Sequence, residues 1–182
     1  IFMFIATSLT HYKRTDVRKA MVEQALDKEV SVMYGLHRFG KRPDALSYEQ
    51  DILELAKRKA TSFHCSEELW TNPLSIQTGM KRAELDALRI GWDFILDVDC
   101  PDWEFSRLIT HLFVKVLQAR GVSAVTAKFS GNKGFHVAVP FQSFPETVKD
   151  MFPEAPRAIA NFLLDLLSNP KKGYMVEGPD HI

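Results

Sequence analysis

Two aspartates at the end of an apolar run have the residue type and the spacing for metal chemistry. Asp97 and Asp99 follow the apolar residues 94–96 and enclose Val98. Such a run is typical of a buried strand that ends in its acids. Side chains alternate along a strand, so both carboxylates would face one side, with Cα atoms roughly 6.5–7 Å apart. Two acids this close repel each other unless a cation lies between them, which predicts a divalent metal site.

The Asp-x-Asp pattern alone is also compatible with a solvated turn, but a second segment favours the metal site. Residues 130–136 read Ser-Gly-Asn-Lys-Gly-Phe-His. Its glycines, Gly131 among them, let the backbone turn tightly and present N–H groups to an anion. Ser130, Lys133 and His136 can each donate a hydrogen bond to a phosphate oxygen. A hairpin with a charged tip is the alternative interpretation of these residues.

Composition narrows the class of protein further. The 182 residues are 46% hydrophobic and 25% charged, which is ordinary for a globular protein. Its 23 basic and 23 acidic residues cancel, so no global positive field predicts a polyanion partner. The two cysteines do not make a disulfide framework, and no segment is apolar enough to span a membrane. The sequence lacks a Walker-type phosphate loop. We expect a cytoplasmic protein.

The elements around the two segments follow from hydrophobic periodicity and capping residues. We predict helices at residues 15–30, 47–60 with a capping box at Ser47, 81–88, 101–121 and 156–168. We predict strands at residues 92–99, 122–129 and 135–139, with a tight turn at 131–134. A helix between neighbouring strands, followed by a hairpin, predicts a mixed β-sheet flanked by helices in an α/β (α+β) fold.

The two segments together resemble the archaeo-eukaryotic primase superfamily, and within it the small catalytic subunit of archaeal-type DNA primases. The shared pattern is an apolar strand ending in Asp-Val-Asp, then Phe-Ser-Gly-Asn-Lys-Gly-Phe-His-Val. The resemblance covers roughly residues 60–140 and is specific in these two motifs. It implies an RRM-like catalytic sheet, the archaeo-eukaryotic primase fold.

The resemblance also implies roles for individual residues. Asp97 and Asp99 would bind two catalytic Mg²⁺ or Mn²⁺ ions. Ser130, Gly131, Lys133 and His136 would hold the triphosphate of the incoming nucleotide. Family members have a third metal-binding carboxylate far downstream, and we do not identify it here.

Further expectations concern domains and partners. We expect residues 1–60 to be a helical, basic N-terminal part and residues 61–182 to be the catalytic core, incomplete at its C-terminal end. Arg38, Lys41 and Arg42 are candidates for contacts with template phosphates. We expect single-stranded DNA and nucleoside triphosphates as partners, together with a primase large subunit or a fused C-terminal domain, and no membrane. Only Cys100 follows the acidic strand closely, so we predict no zinc.

The resulting hypothesis is a template-dependent nucleotidyltransferase that synthesises primers on single-stranded DNA and acts at the nucleoid. Two alternatives stay open. A nucleotide-sugar transferase also binds a metal diphosphate through Asp-x-Asp, although it does not explain the glycine-bounded hairpin. A non-catalytic, nucleic-acid-binding module derived from a primase would explain the unidentified third acid.

Overall fold

The computed structural model describes residues 2–35, 38–131 and 133–168, with side chains from residue 7 onward. Contacts divide the chain into two compact units, Ile1–Gly91 and Trp92–Ile182. In the described residues, six α-helices and three small antiparallel sheets form a mixed α+β fold that is not a barrel. None of the helices in this part of the chain is long and apolar enough to cross a membrane.

The first unit contains a three-stranded sheet, a two-stranded sheet and four helices, and its last strand ends at Trp92, the first residue of the second unit. In chain order they are α1 (Phe2–Tyr12), α2 (Thr15–Gln24), β1 (Val30–Tyr34), β2 (Arg38–Phe39), α3 (Glu49–Lys57), β3 (Ala60–Cys65), β4 (Glu68–Trp70), a 3₁₀ turn (Pro73–Ser75), α4 (Arg82–Leu88) and β5 (Arg89–Trp92). The larger sheet has the order β2-β1-β3, and β4 pairs with β5.

One face of the β2-β1-β3 sheet carries the core of the first unit. Val30 and Val32 of β1 are buried there, together with Ile52 and Ala56 from one side of α3. The phenol of Tyr12 donates a hydrogen bond to the carbonyl of Thr61 at 3.1 Å. Alternation along the strands places Ser31 of β1 on the opposite face of this sheet. Its paired residue on β3, His64, and the side chain of Phe39 on β2 lie on the same opposite face.

The second unit has one three-stranded sheet and two long helices. Its elements are β6 (Phe94–Asp99), α5 (Trp103–Ala119), β7 (Thr126–Phe129), β8 (Gly134–Val139), 3₁₀ turns at Phe141–Ser143 and Glu146–Val148, and α6 (Glu154–Ser168). The strand order is β6-β8-β7, and β8 runs antiparallel to both neighbours.

The helices cover one face of this sheet. Phe94, Val137 and Val139 are almost fully buried and pack with residues of α5 and α6 such as Val116 and Leu163. These burials drive the association of helices with the sheet, since each large apolar side chain contributes about 1.5–3 kcal/mol. The odd-numbered positions of β6 and even-numbered positions of β8 are left on the other face, called the open face below.

The prediction of a mixed sheet is wrong. It assumed that the strands joined by α5 are neighbours, which would make them a parallel pair. In the structure β8 lies between β6 and β7, so every pairing in this sheet is antiparallel. Helix α5 therefore connects two strands that run in the same direction with one strand inserted between them, a split β-α-β arrangement.

Several element boundaries also differ from the prediction. The strand predicted at 92–99 is divided into β5 and β6, and the strand predicted at 122–129 begins only at Thr126. Helix α5 is two residues shorter at each end than predicted, and α6 begins two residues earlier. The helix predicted at residues 15–30 ends at Gln24, because Asp27 adopts a positive φ of 59° and Val30 begins β1. The capping box predicted at Ser47 lies one residue later, where the Tyr48 N–H donates to the carboxylate of Asp51 at 3.1 Å.

Candidate functional site

Strand pairing brings the two sequence motifs together on the open face of the second unit. Asp97 is directly opposite His136, and Asp99 is directly opposite Gly134. His136 Nε2 lies 3.6 Å from Asp97 Oδ1, with 32% of the histidine side chain and 63% of the aspartate side chain exposed. This is an ion-pair distance if the imidazole is protonated, and it leaves carboxylate oxygens accessible to a ligand.

The described residues include the type of donor atom that a divalent ion prefers, but fewer ligating side chains than a metal site needs. Asp97 and Asp99 are both exposed and share a face, and carboxylate oxygens are the donors that Mg²⁺ and Mn²⁺ prefer. Among the described residues, no group of three or more His, Cys, Asp or Glu side chains is placed to hold a metal ion. The predicted third carboxylate stays unidentified in that part of the chain.

The turn between β7 and β8 is closed by Ser130. Its backbone N–H donates to the carbonyl of Gly134 at 2.8 Å, and its hydroxyl accepts from the Gly134 N–H at 3.3 Å. Gly131 has a φ of +93°, a conformation that favours glycine. Lys133 is exposed at the tip, whereas Asn132 lies outside the described residues. The predicted nucleotide-binding residues thus lie in the turn and at the start of β8.

Gly134 has a role that the sequence did not reveal. A Cβ at this position would lie 1.7 Å from the carbonyl oxygen of Val98. The strand carrying the acids and the strand carrying the histidine therefore approach each other where only hydrogen fits. The close approach of the strands, and not a positive φ in the turn, accounts for a glycine at this position.

Sequence reasoning also missed Lys128. This exposed residue of β7 is paired across the strands with His136, so Asp97, His136 and Lys128 form a row over three adjacent strands. The signal was present in the alternation of the hairpin, because residues 128 and 136 are equidistant from the centre of the turn. Neighbouring strands lie roughly 4.8 Å apart, so the Cα atoms at the two ends of the row are about 10 Å apart.

Aromatic rings support the hairpin from the helix side of the sheet. Trp103, the first residue of α5, contacts Phe135 with ring centroids 5.0 Å apart and Phe129 with centroids 5.4 Å apart. The carboxylate of Asp102 caps the helix by accepting from the Phe105 N–H at 2.8 Å. Helix α5 thereby connects the end of the acidic strand to both strands of the hairpin.

The three basic residues predicted to contact template lie in the first unit. Arg38 has its guanidinium 5.5 Å from the ring centroid of Tyr34, and Lys41 is exposed. Arg42 donates two hydrogen bonds to the carboxylate of Glu29, at 2.7 and 2.5 Å, and these bonds raise the pKa of the guanidinium. Arg42 is therefore committed to an ion pair, although 62% of its side chain is exposed.

No protein-family model matches this chain, and no curated protein matches it.

Proposed function

We propose that this chain is a template-dependent nucleotidyltransferase of the archaeo-eukaryotic primase type, which synthesises primers on single-stranded DNA. The observation that carries the proposal is the pairing of Asp97 with His136 on one open sheet face. Two motifs that were singled out separately in the sequence, for metal and for phosphate, belong to adjacent strands. A metal-bound polyphosphate needs both kinds of group within a few ångströms.

The chemistry assigned to these residues is phosphoryl transfer from a nucleoside triphosphate. A primer 3′-hydroxyl attacks the α-phosphate and loses its proton to solvent, the bond between the α-phosphorus and the bridging oxygen of the β-phosphate breaks, and pyrophosphate leaves. A divalent ion held by Asp97 and Asp99 would supply Lewis-acid stabilisation of the phosphate charge. The imidazole of His136 and the ammonium of Lys133 donate hydrogen bonds to phosphate oxygens and orient the triphosphate.

Topology supports the finer fold proposal. The order β6-α5-β7-β8-α6, with β8 inserted between β6 and β7, corresponds to the first five elements of a β-α-β-β-α-β unit. An RRM-like sheet belongs to this class, so we propose that fold for the second unit. The open face of such a sheet, opposite its helices, is where Asp97, Asp99 and His136 lie.

Primer synthesis on single-stranded DNA tests the function. The full chain is incubated with a circular template, nucleotides and either Mg²⁺ or Mn²⁺, and the products are sized and treated with ribonuclease. We expect short products that depend on template and metal. Incorporation of sugar from a nucleotide-sugar without any template would instead support the transferase alternative. Template binding with no incorporation under either metal would support the non-catalytic module.

A further inference from the structure

A pocket of about 380 Å³ lies on the first unit and is lined by residues of that unit alone. It is formed on the face of the β2-β1-β3 sheet that does not carry the core. The residues that line it include Glu29, Ser31, Phe39, Arg42, His64 and Ser66. Its volume lies at the lower end of the range for small-molecule sites.

The floor of the pocket is a buried, neutralised carboxylate. Only 8% of the Glu29 side chain is exposed, and both of its oxygens accept hydrogen bonds from Arg42. The Glu29 N–H donates to the hydroxyl of Ser66 at 3.1 Å, which fixes the backbone. Each carboxylate oxygen has a second lone pair, so Glu29 can still accept from the N–H groups of a ligand.

One wall of the pocket is aromatic. The ring of Phe39 contacts the ring of His64 edge-on with centroids 5.6 Å apart, yet Phe39 is 51% exposed. His64 Nε2 lies 3.0 Å from the hydroxyl of Ser62, a contact that restrains the imidazole. An exposed ring held in place by a neighbour offers a flat surface on which another π-system can stack.

The charges favour a base over a free anion in the pocket itself. Arg42 is already paired with Glu29, so a bare phosphate would have to displace a bidentate carboxylate. Lys41, which is exposed and adjacent in sequence, is available beside the pocket for a backbone phosphate. Alternation along β2 places Arg38 on the opposite face from Phe39, over Tyr34, and we assign it no part here.

We propose that this pocket receives one unstacked base of a single-stranded nucleic acid. The base stacks on Phe39 and presents its N–H groups to Glu29, while Lys41 contacts a neighbouring phosphate. All four common bases carry an N–H donor and a π-face, so the site is tolerant of sequence. The inference rests on residues of the first unit alone and does not require the second unit to be catalytic.

Binding of the full chain to a fluorescent single strand of about 12 nucleotides, without metal or nucleotide, tests the proposal. We expect Phe39→Ala to weaken binding roughly 5- to 150-fold, the range for loss of one base–aromatic stack. Phe162→Ala is the matched control, because Phe162 of α6 is 47% exposed and lies in the other unit. Equal affinities of these two variants would overturn the proposal.

Two further variants separate stacking from a loss of folding. Phe39→Tyr keeps the aromatic face and should retain wild-type affinity, whereas Phe39→Leu keeps an apolar side chain and should lose it. If Phe39→Leu binds like the wild type, the ring is not a stacking surface. Thermal melting of each variant measures the folded fraction, and affinities are compared at temperatures where every variant is folded.

Salt dependence separates the base contact from the phosphate contact. Lys41→Ala should reduce the slope of log K against log[salt] by about 0.7, the value for one phosphate contact on a single strand. Phe39→Ala should lower the affinity without changing that slope. A changed slope with unchanged affinity in Phe39→Ala would mean that Phe39 does not contact the base.

Parallel binding measurements with DNA, RNA and a free nucleoside monophosphate identify the kind of molecule that supplies the base. Tighter binding of either strand than of the monophosphate, and its loss in Phe39→Ala, supports the proposal. Equal binding of the monophosphate and the strand would show a free-nucleotide site and overturn it. Because incorporation is not measured, a failure of the proposed catalytic function leaves this result unaffected.

Discussion

The two three-stranded sheets of this chain have the same design but different chemistry on their uncovered faces. Each buries one face against helices of its own unit, and in the part of the chain that the structure describes neither core cluster includes residues of the opposite face. In the second unit the uncovered face carries Asp97, His136 and Lys128 in a row. In the first unit it carries Phe39 and Ser31 beside the ion pair of Glu29 and Arg42.

The two faces differ in whether the negative charge of their carboxylate is already balanced by a basic side chain. On the second sheet, Asp97 has no closer ion-pair partner in the described residues than His136, at 3.6 Å, and it is well exposed. Such carboxylates gain most from a bound cation, which can in turn bind phosphate oxygens. On the first sheet, the carboxylate is buried and its charge is balanced by a guanidinium. That arrangement favours a planar, neutral group with hydrogen-bonding edges, as a nucleobase is.

We therefore expect the two sheets to have different functions, which mutations can distinguish. Changes on the second sheet should reduce incorporation and leave the binding of single strands intact. Changes at Phe39 should instead weaken the binding of single strands and leave incorporation intact when template is saturating.

Replacing the acids should have the largest effect. We expect Asp97→Asn and Asp99→Asn each to lower incorporation by more than about a hundredfold, which is the upper range for loss of an outer-shell partner of a metal. A neutral amide is a poor substitute for a carboxylate at a hard cation. Incorporation is measured at several Mg²⁺ and Mn²⁺ concentrations.

Asp150→Asn is the control for the acidic variants, because Asp150 is an exposed acid of the same unit. Single-strand affinity without metal should be unchanged in all three variants. Wild-type incorporation by a folded Asp97→Asn protein would refute the metal site.

The next effect concerns the fold of the second sheet. Gly134→Ala would place a methyl group 1.7 Å from the carbonyl oxygen of Val98, so β6 and β8 must separate. We expect a loss of about 3 kcal/mol in the free energy of unfolding, the upper end of the usual cost of overpacking. Denaturant unfolding measures it. No change in stability would mean that the close approach is absent.

How much of this could be predicted from sequence depends on the range of the interactions. Helix α5 and the hairpin strands were predicted to within a few residues, because periodicity and local caps such as Asp102 and Gly121 define them. The order β6-β8-β7 was not predicted, because no local pattern indicates which strand of the hairpin pairs with β6. Long-range backbone hydrogen bonds decide this.

The first unit shows the same limit. The apolar spacing of residues 15–30 suits a helix throughout, yet Val30 pairs with Cys65 in a sheet. The carboxylate of Glu29 pairs with Arg42, a residue that the sequence offers as a candidate for template contact. Only the structure reveals that this arginine serves a buried acid, because the two residues meet through β1 and the loop after β2.

A smaller effect is expected at His136. His136→Ala should weaken apparent nucleotide affinity and incorporation by about ten- to a hundredfold, since a charge-assisted hydrogen bond contributes about 1.5–3 kcal/mol. Titration of nucleotide at fixed template measures it. Single-strand affinity should hardly change. Equal loss of both activities, together with a lower melting temperature, would show that the imidazole serves packing alone.

The smallest effect should come from Lys128, at the far end of the row from Asp97. Its Cα is about 10 Å from that of Asp97, two strand spacings away, so we expect its ammonium group to act on a bound polyphosphate as an exposed charge at the edge of the site. We expect Lys128→Ala to raise the apparent Michaelis constant for nucleotide about two- to fivefold, as for an exposed charge pair of up to about 1 kcal/mol.

Two controls test the prediction for Lys128: a change of ionic strength and a substitution of another exposed lysine. Its effect should shrink as ionic strength rises, because exposed charges are screened within about 10 Å at 0.1 M salt. Lys128→Arg should keep the wild-type constant, and Lys115→Ala, which removes an exposed lysine from α5, should also have none of the effect. An effect of Lys128→Ala that persists at high salt, or that Lys115→Ala reproduces, would separate Lys128 from the nucleotide. The functional row on the second sheet would then consist of Asp97 and His136 alone.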